Sequence, residues 1–137
     1  AAYLWGQLEN AQKINDARLG AWAYYYRKLK PLADRGLIEL ASIPDDCSHN
    51  AHMFYLKAAC LSERTALLEH LKSRDVVAVF HYVPLHTAKA GLEFGRFHGE
   101  DIVTTSGSER LLRLPMWYGI ERATQQKVVD AVLEFYL

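Results

Sequence analysis

One apolar stripe runs through the first thirty residues, and it constrains the fold more than any other feature of the chain. Leu4, Leu8, Ala11, Ile14, Ala17, Ala21, Tyr25 and Leu29 recur at steps of three and four, which places them on one face of a helix. Glu9, Lys13, Asp16 and Lys28 fall elsewhere around it. At about 1.5 Å per residue the helix spans roughly 40 Å, longer than a small domain needs for itself. A helix of that reach connects two bodies. Pro31 predicts its end, because the residue before a proline is pushed out of the α region, and Arg35-Gly36 closes a last loose turn. Residues 1–36 are accordingly read as a connecting helix and residues 37–137 as the folded body.

The body alternates strand and helix patterns. Leu37-Ile38-Glu39-Leu40 is a short strand candidate, and His52 to Ala58 is a second, rich in aromatic and apolar residues. Ser62 reads as an N-cap with Leu61 and Ala66 as a hydrophobic staple, opening a helix that carries Leu67, Leu68 and Leu71 and stops near Ser73. Val76 to Phe80 predicts a buried strand from its β-branched content. An irregular stretch follows, His81 to Thr105, punctuated by Pro84, Gly91, Gly95 and Gly99. Ser106-Gly107-Ser108-Glu109 matches a capping box for a short helix through Leu112, and Leu114 to Trp117 is extended. The last helix runs from about Arg122 to Tyr136, with Val128, Val129, Val132, Leu133 and Tyr136 on one face. The order predicts an α+β fold: a long N-terminal helix, then helices on one face of a small, mostly antiparallel sheet of three or four strands.

Charge removes several function classes. Sixteen Lys and Arg balance sixteen Asp and Glu, whereas a nucleic-acid or anionic-membrane binder needs a surplus of positive charge. No apolar run approaches the roughly 20 residues of a membrane span. Two cysteines, Cys47 and Cys60, are too few for a disulfide scaffold and fit a reducing compartment, so a cytoplasmic location is expected. The chain opens on Ala1, already in helical pattern and without Met, which predicts a piece of a longer protein.

Candidate chemistry narrows to one segment. His49, His52, His81, His86 and Cys47 suggest metal ligands by type, but His49 and His52 differ by an odd number and face opposite sides of a strand. No His-Glu-x-x-His or paired Cys-x-x-Cys supports a metal site, and none is expected. A Gly-x-Ser-x-Gly elbow and a phosphate-binding glycine loop are both missing. His81-Tyr82-Val83-Pro84-Leu85-His86 is different, because it leaves a strand and enters a loop, where binding groups are commonly displayed on a rigid base. Two imidazoles and a phenol around a stiffening proline can hydrogen-bond phosphate or sugar hydroxyls. His86, Tyr82 and His81 are therefore the candidate substrate-binding residues, and no catalytic acid or base is assigned within the chain. A free-standing ligand-binding or regulatory module without catalysis accommodates the same α+β pattern.

Four ordered motifs carry a resemblance. Ala1 to Leu8 followed by Arg18 and Tyr24-Tyr25-Tyr26, Asn50-Ala51-His52-Met53-Phe54-Tyr55, the His81 to His86 segment, and Ser108-Glu109-Arg110-Leu111-Leu112-Arg113-Leu114-Pro115 together resemble the small C-terminal domain of the DegT/DnrJ/EryC1/StrS sugar aminotransferases. Phe94-Gly95-Arg96-Phe97-His98-Gly99-Glu100-Asp101 looks closer to the branch of that family serving enterobacterial common antigen synthesis. The resemblance implies a pyridoxal-phosphate-dependent homodimer that moves an amino group from glutamate to C4 of a dTDP-4-keto-6-deoxy sugar. It also implies a cofactor-binding lysine within Ser-x-x-x-x-Lys in a large domain. None of Lys13, Lys28, Lys30, Lys57, Lys72, Lys89 and Lys127 stands in that context. The resemblance thus implies a large domain outside this chain, no covalently bound cofactor within it, and no transamination by these residues alone. An apolar strip around Leu4, Trp5, Leu8 and Trp22 is expected where that domain packs.

Overall fold

A computed structural model describes residues 1–137. The apolar stripe folds as two helices, α1 (Ala2–Leu8) and α2 (Ala11–Asp34). The interruption comes from Asn10, whose side-chain amide donates to the Gly6 carbonyl at 3.0 Å while its backbone N–H turns to Gln7. A side chain that takes the carbonyl meant for its own N–H diverts the helix ladder. Pro31 does not end α2, contrary to the sequence reading. Its missing N–H leaves only the Arg27 carbonyl unpaired, both residues are exposed, and buried Leu29 and Leu32 hold the turn against the core. The terminator is Gly36 at φ +72°. Its N–H reaches the Ala33 carbonyl at 2.9 Å and the Leu37 N–H reaches Leu32 at 3.0 Å, the paired bonds of a Schellman cap.

Four strands form one sheet: β1 (Glu39–Leu40), β2 (Phe54–Lys57), β3 (Val79–Phe80) and β4 (Leu111–Leu114). Their order is β1-β2-β4-β3 and every neighbouring pair is antiparallel. Phe54 lies opposite Leu114 and Leu56 opposite Leu112, so the buried residues of β2 and β4 share one face. Against that face pack α2, α3 (Leu61–Ser73) and α6 (Arg122–Tyr136), which contribute Tyr25, Leu29, Leu67, Leu71, Val129 and Val132 to one core. The second half of α2 is thus built into the core. Polar ties fix the layers. Buried Gln125 of α6 donates to the Ala21 carbonyl at 2.9 Å, and the Tyr25 hydroxyl donates to the Pro115 carbonyl at 2.9 Å. Tyr136 donates to Glu63 at 2.7 Å, and burial together with that contact pushes its phenol pKa upward.

The expected α+β arrangement of helices on one face of a small antiparallel sheet is therefore the one observed. Several local readings need correction. Val76 to Phe80 is not a buried strand. Only Val79–Phe80 pair, at the sheet edge, and while Val76 fills the core Val77 is 76% exposed. β-branched content marks a strand but not whether a neighbour covers it. Ser62 does not cap α3. The cap position is Cys60, and Glu63 reaches back to the Ala59 N–H at 3.4 Å. Ser106 to Glu109 lie inside a helix, α5 (Thr104–Arg110), that opens two residues earlier and stops at Arg110, where pairing with β2 takes over. Trp22 is half-buried between Tyr26, Phe54 and His49, whereas Leu4, Trp5 and Leu8 are exposed as expected. No helix is long and apolar enough to cross a membrane.

Candidate functional site

Between β3 and α5 the chain leaves the sheet edge on an excursion, residues 81–103, that returns to the fold at Thr104. Pro84 starts it in an extended conformation, a 3-10 turn follows at Leu85–Thr87, and then comes α4 (Lys89–Phe94). The turn and α4 touch backbone to backbone at Gly91, where an added Cβ would stand 1.7 Å from the Leu85 carbonyl oxygen. Only a residue without a side chain allows that approach.

His86 closes the excursion. Its Nε2 lies 2.7 Å from Asp101 Oδ2, and the Phe97 ring packs on the imidazole with centroids 4.3 Å apart. Asp101 Oδ1 accepts the Thr105 N–H at 3.2 Å, and the Thr105 hydroxyl donates to Oδ2. The Thr105 hydroxyl first, then its N–H, and to a lesser degree His86, hold the Asp101 carboxyl below its ordinary value of 3.8. An ionised carboxylate only accepts, so the Nε2 facing it carries hydrogen and Nδ1 of the neutral ring is left as an acceptor.

The three expected substrate-binding residues do not converge on one cavity. His86 is engaged by Asp101. Tyr82 is 72% exposed, and its carbonyl accepts from the Ser108 hydroxyl. His81 lies edge-on to the Tyr82 ring, 4.6 Å away, with a buried Nδ1 that has no hydrogen-bond partner. A cavity of about 250 Å³ takes in Tyr82, Pro84, Thr105 and Ser108 but neither histidine. Asp101 and Thr105 were not singled out by sequence. Their signal was the Asp-x-x-x-Thr spacing, which lets a carboxylate sit ahead of a helix and accept an N–H of its first turn. No three His, Cys, Asp or Glu side chains come together anywhere in the fold.

The Asp101 clasp carries a pH dependence. A carboxylate favoured in the folded state stabilises it at pH values above the ordinary aspartate pKa, and the contribution disappears as pH falls below that value. The excursion is therefore expected to loosen progressively as pH falls below the ordinary aspartate value and on through the lower value held in the folded state, while the core persists. Amide exchange between pH 6 and 3 measures this. Protection should fall first at residues 86–105, and a uniform loss across the chain would show that the clasp does not govern the segment.

Comparison with known proteins places this geometry in a wider group. The model of the DegT/DnrJ/EryC1/StrS aminotransferase family matches residues 1–133. The chain belongs to that family. Aminotransferase TlmJ from Streptoalloteichus hindustanus has the same fold at a TM-score of 0.82 and 19% identity, over 95% of this chain and 34% of its own. DesV from S. venezuelae superposes at 0.81 with 27% identity, over 98% and 35%. A pleiotropic regulatory protein from Geobacillus stearothermophilus is 24% identical over 106 residues, 77% of this chain and 28% of its own length. The chain thus spans about a third or less of the length of these relatives.

Proposed function

We propose that this chain is the small C-terminal domain of a pyridoxal-phosphate-dependent nucleotide-sugar aminotransferase, with residues 1–36 as the connection to a larger cofactor-binding domain. The family match over residues 1–133 is the observation that carries the reading. The Phe94 to Asp101 segment favours a dTDP-4-amino-4,6-dideoxygalactose transaminase. Such an enzyme works as a cytoplasmic homodimer in enterobacterial common antigen synthesis, taking its amino group from glutamate and delivering it to C4 of a dTDP-4-keto-6-deoxy sugar. Related solved structures support the chemistry. NtdA from Bacillus subtilis holds PMP, and PseC from Helicobacter pylori is an aminotransferase involved in pseudoaminic acid biosynthesis.

The residues of this chain do not themselves suit covalent attachment of the cofactor. A lysine that attacks an aldehyde must be desolvated or crowded by other cations. Here six lysines are exposed, and the seventh, half-buried Lys57, pairs with Glu39 at 3.1 Å. Lys30 lies 2.5 Å from Asp34, a contact that raises its pKa and keeps it protonated. The role left to this chain is to bind and orient the sugar nucleotide. His86 offers an Nδ1 acceptor for a sugar hydroxyl, with Tyr82 and His81 at the mouth of the same excursion.

In the full-length enzyme, His86→Ala is expected to raise KM for the nucleotide sugar roughly ten- to a hundredfold, the worth of one lost hydrogen bond of about 1–3 kcal/mol. The absorbance of bound cofactor should remain. An unchanged KM with the cofactor absorbance lost instead would overturn the assignment of His86 to the sugar.

A further inference from the structure

Every contact that holds His86 leaves one of its two ring nitrogens unused. Nε2 faces Asp101 Oδ2 at 2.7 Å and the Thr105 hydroxyl oxygen at 3.4 Å, and the Phe97 ring covers a face of the imidazole. Nδ1 makes no hydrogen bond within the chain. It is not buried either, because the two buried side-chain nitrogens without a partner belong to His81 and Arg113. The His86 side chain is 18% exposed, and its Nδ1 is a polar atom open to a ligand on a ring that is otherwise fixed.

The two oxygens of Asp101 have separate tasks. Oδ1 accepts the Thr105 backbone N–H at 3.2 Å, and a backbone amide nitrogen can only donate. Oδ2 accepts the Thr105 hydroxyl and faces the imidazole. The backbone of residue 105 thus decides which end of the carboxylate meets His86. A carboxylate oxygen in that place requires hydrogen on Nε2, and a neutral imidazole with hydrogen on Nε2 has its lone pair on Nδ1.

We infer that Asp101, oriented by Thr105, is a positioning residue that makes His86 a hydrogen-bond acceptor and so decides which ligand groups the excursion admits. A hydroxyl or an ammonium can donate to Nδ1. A diphosphate oxygen or a ketone only accepts, so it would meet the Nδ1 lone pair with a lone pair of its own. Diphosphate is also repelled by the Asp101 charge behind the ring. His86 is therefore matched to the hydroxyl-bearing part of a sugar nucleotide and not to its diphosphate. The effect on substrate rests on the proposed assignment of His86 to the sugar, whereas the choice of tautomer is a property of this chain alone.

Long-range ¹H–¹⁵N spectra of the imidazole rings, recorded on the chain under mildly alkaline conditions, read the tautomer directly. Wild-type His86 is expected to carry its hydrogen on Nε2. In Asp101→Asn the Thr105 N–H still requires the amide oxygen, so the amide nitrogen turns its hydrogens to the ring and the tautomer inverts to Nδ1–H. Thr105→Val keeps both the carboxylate and the backbone N–H, and should keep the wild-type tautomer. A cluster that merely braced the excursion would lose its tautomer preference in both variants. Hydrogen on Nδ1 in the wild type, which needs no variant to fold, or an unchanged tautomer in Asp101→Asn, would overturn the inference. In the full-length enzyme, Asp101→Asn should raise the nucleotide-sugar KM about three- to tenfold with kcat nearly unchanged, less than His86→Ala because a sugar hydroxyl can turn to accept. An inverted tautomer with an unchanged KM would confirm the positioning and overturn only the assignment of His86 to the sugar.

Discussion

Replacing Phe54 by alanine is expected to cost about 3–5 kcal/mol of folding stability, the range for truncating a fully buried aromatic residue. Phe54 is 1% exposed and joins α2 to the sheet. Its ring lies 5.2 Å from the Tyr25 ring and 5.5 Å from Trp22, both on α2, and its backbone pairs with Leu114 in the centre of the sheet. The loss combines the transfer energy of the ring with a cavity that rigid neighbours on a helix and a strand cannot close. A domain of this size has roughly 5–15 kcal/mol in total, so the variant should sit near its unfolding threshold. Urea denaturation reads the difference directly. A shift below about 1 kcal/mol would mean that α2 collapses onto the sheet more freely than this packing allows. Phe54→Leu fills most of the same volume and should cost far less.

The elements that were legible in the sequence are those fixed by one strong period. The last helix, Arg122–Tyr136, lies where its valine stripe put it, and α3 ends at Ser73. In the last helix Val128, Val129 and Val132, three residues of the face that the periodicity picked out, are buried. The boundaries that failed depend on competition between local bonds. Asn10 breaks the first helix through its side chain, and Pro31 survives because the carbonyl it orphans is exposed. The edge position of β3 was hidden for another reason. A run such as Val76 to Phe80 looks the same whether or not a further strand lies beside it, and strand order is set by residues more than thirty positions away.

The site was legible only in part. The sequence picked out His86 because it ends a strand-to-loop segment, but not its partner Asp101, fifteen residues further on across a helix and a loop. Side-chain pairing at that separation follows from how the excursion folds back, which no local pattern encodes.

Gly91→Ala should uncouple the excursion from the rest of the fold. The new Cβ would stand 1.7 Å from the Leu85 carbonyl oxygen and 2.7 Å from its carbon, and both are backbone atoms that no rotamer change can move aside. Relief requires α4 to separate from the 3-10 turn, at a cost of about 3 kcal/mol or more, at the upper end of overpacking penalties. Alanine favours the helix itself, so the damage arises from contact and not from helix propensity. The core residues lie on the other side of the sheet edge, so their exchange protection and the urea midpoint should change little. Limited proteolysis within residues 85–101 should rise sharply instead. Displacing the turn also separates His86 from Asp101, whose 2.7 Å contact depends on the turn's position. In the full-length enzyme the variant should then raise the nucleotide-sugar KM in the same direction as His86→Ala, although residue 91 makes no contact with substrate in the proposed arrangement. Global destabilisation together with unchanged proteolysis of the excursion would show that the two segments do not separate, and that the close approach at Gly91 braces the whole domain.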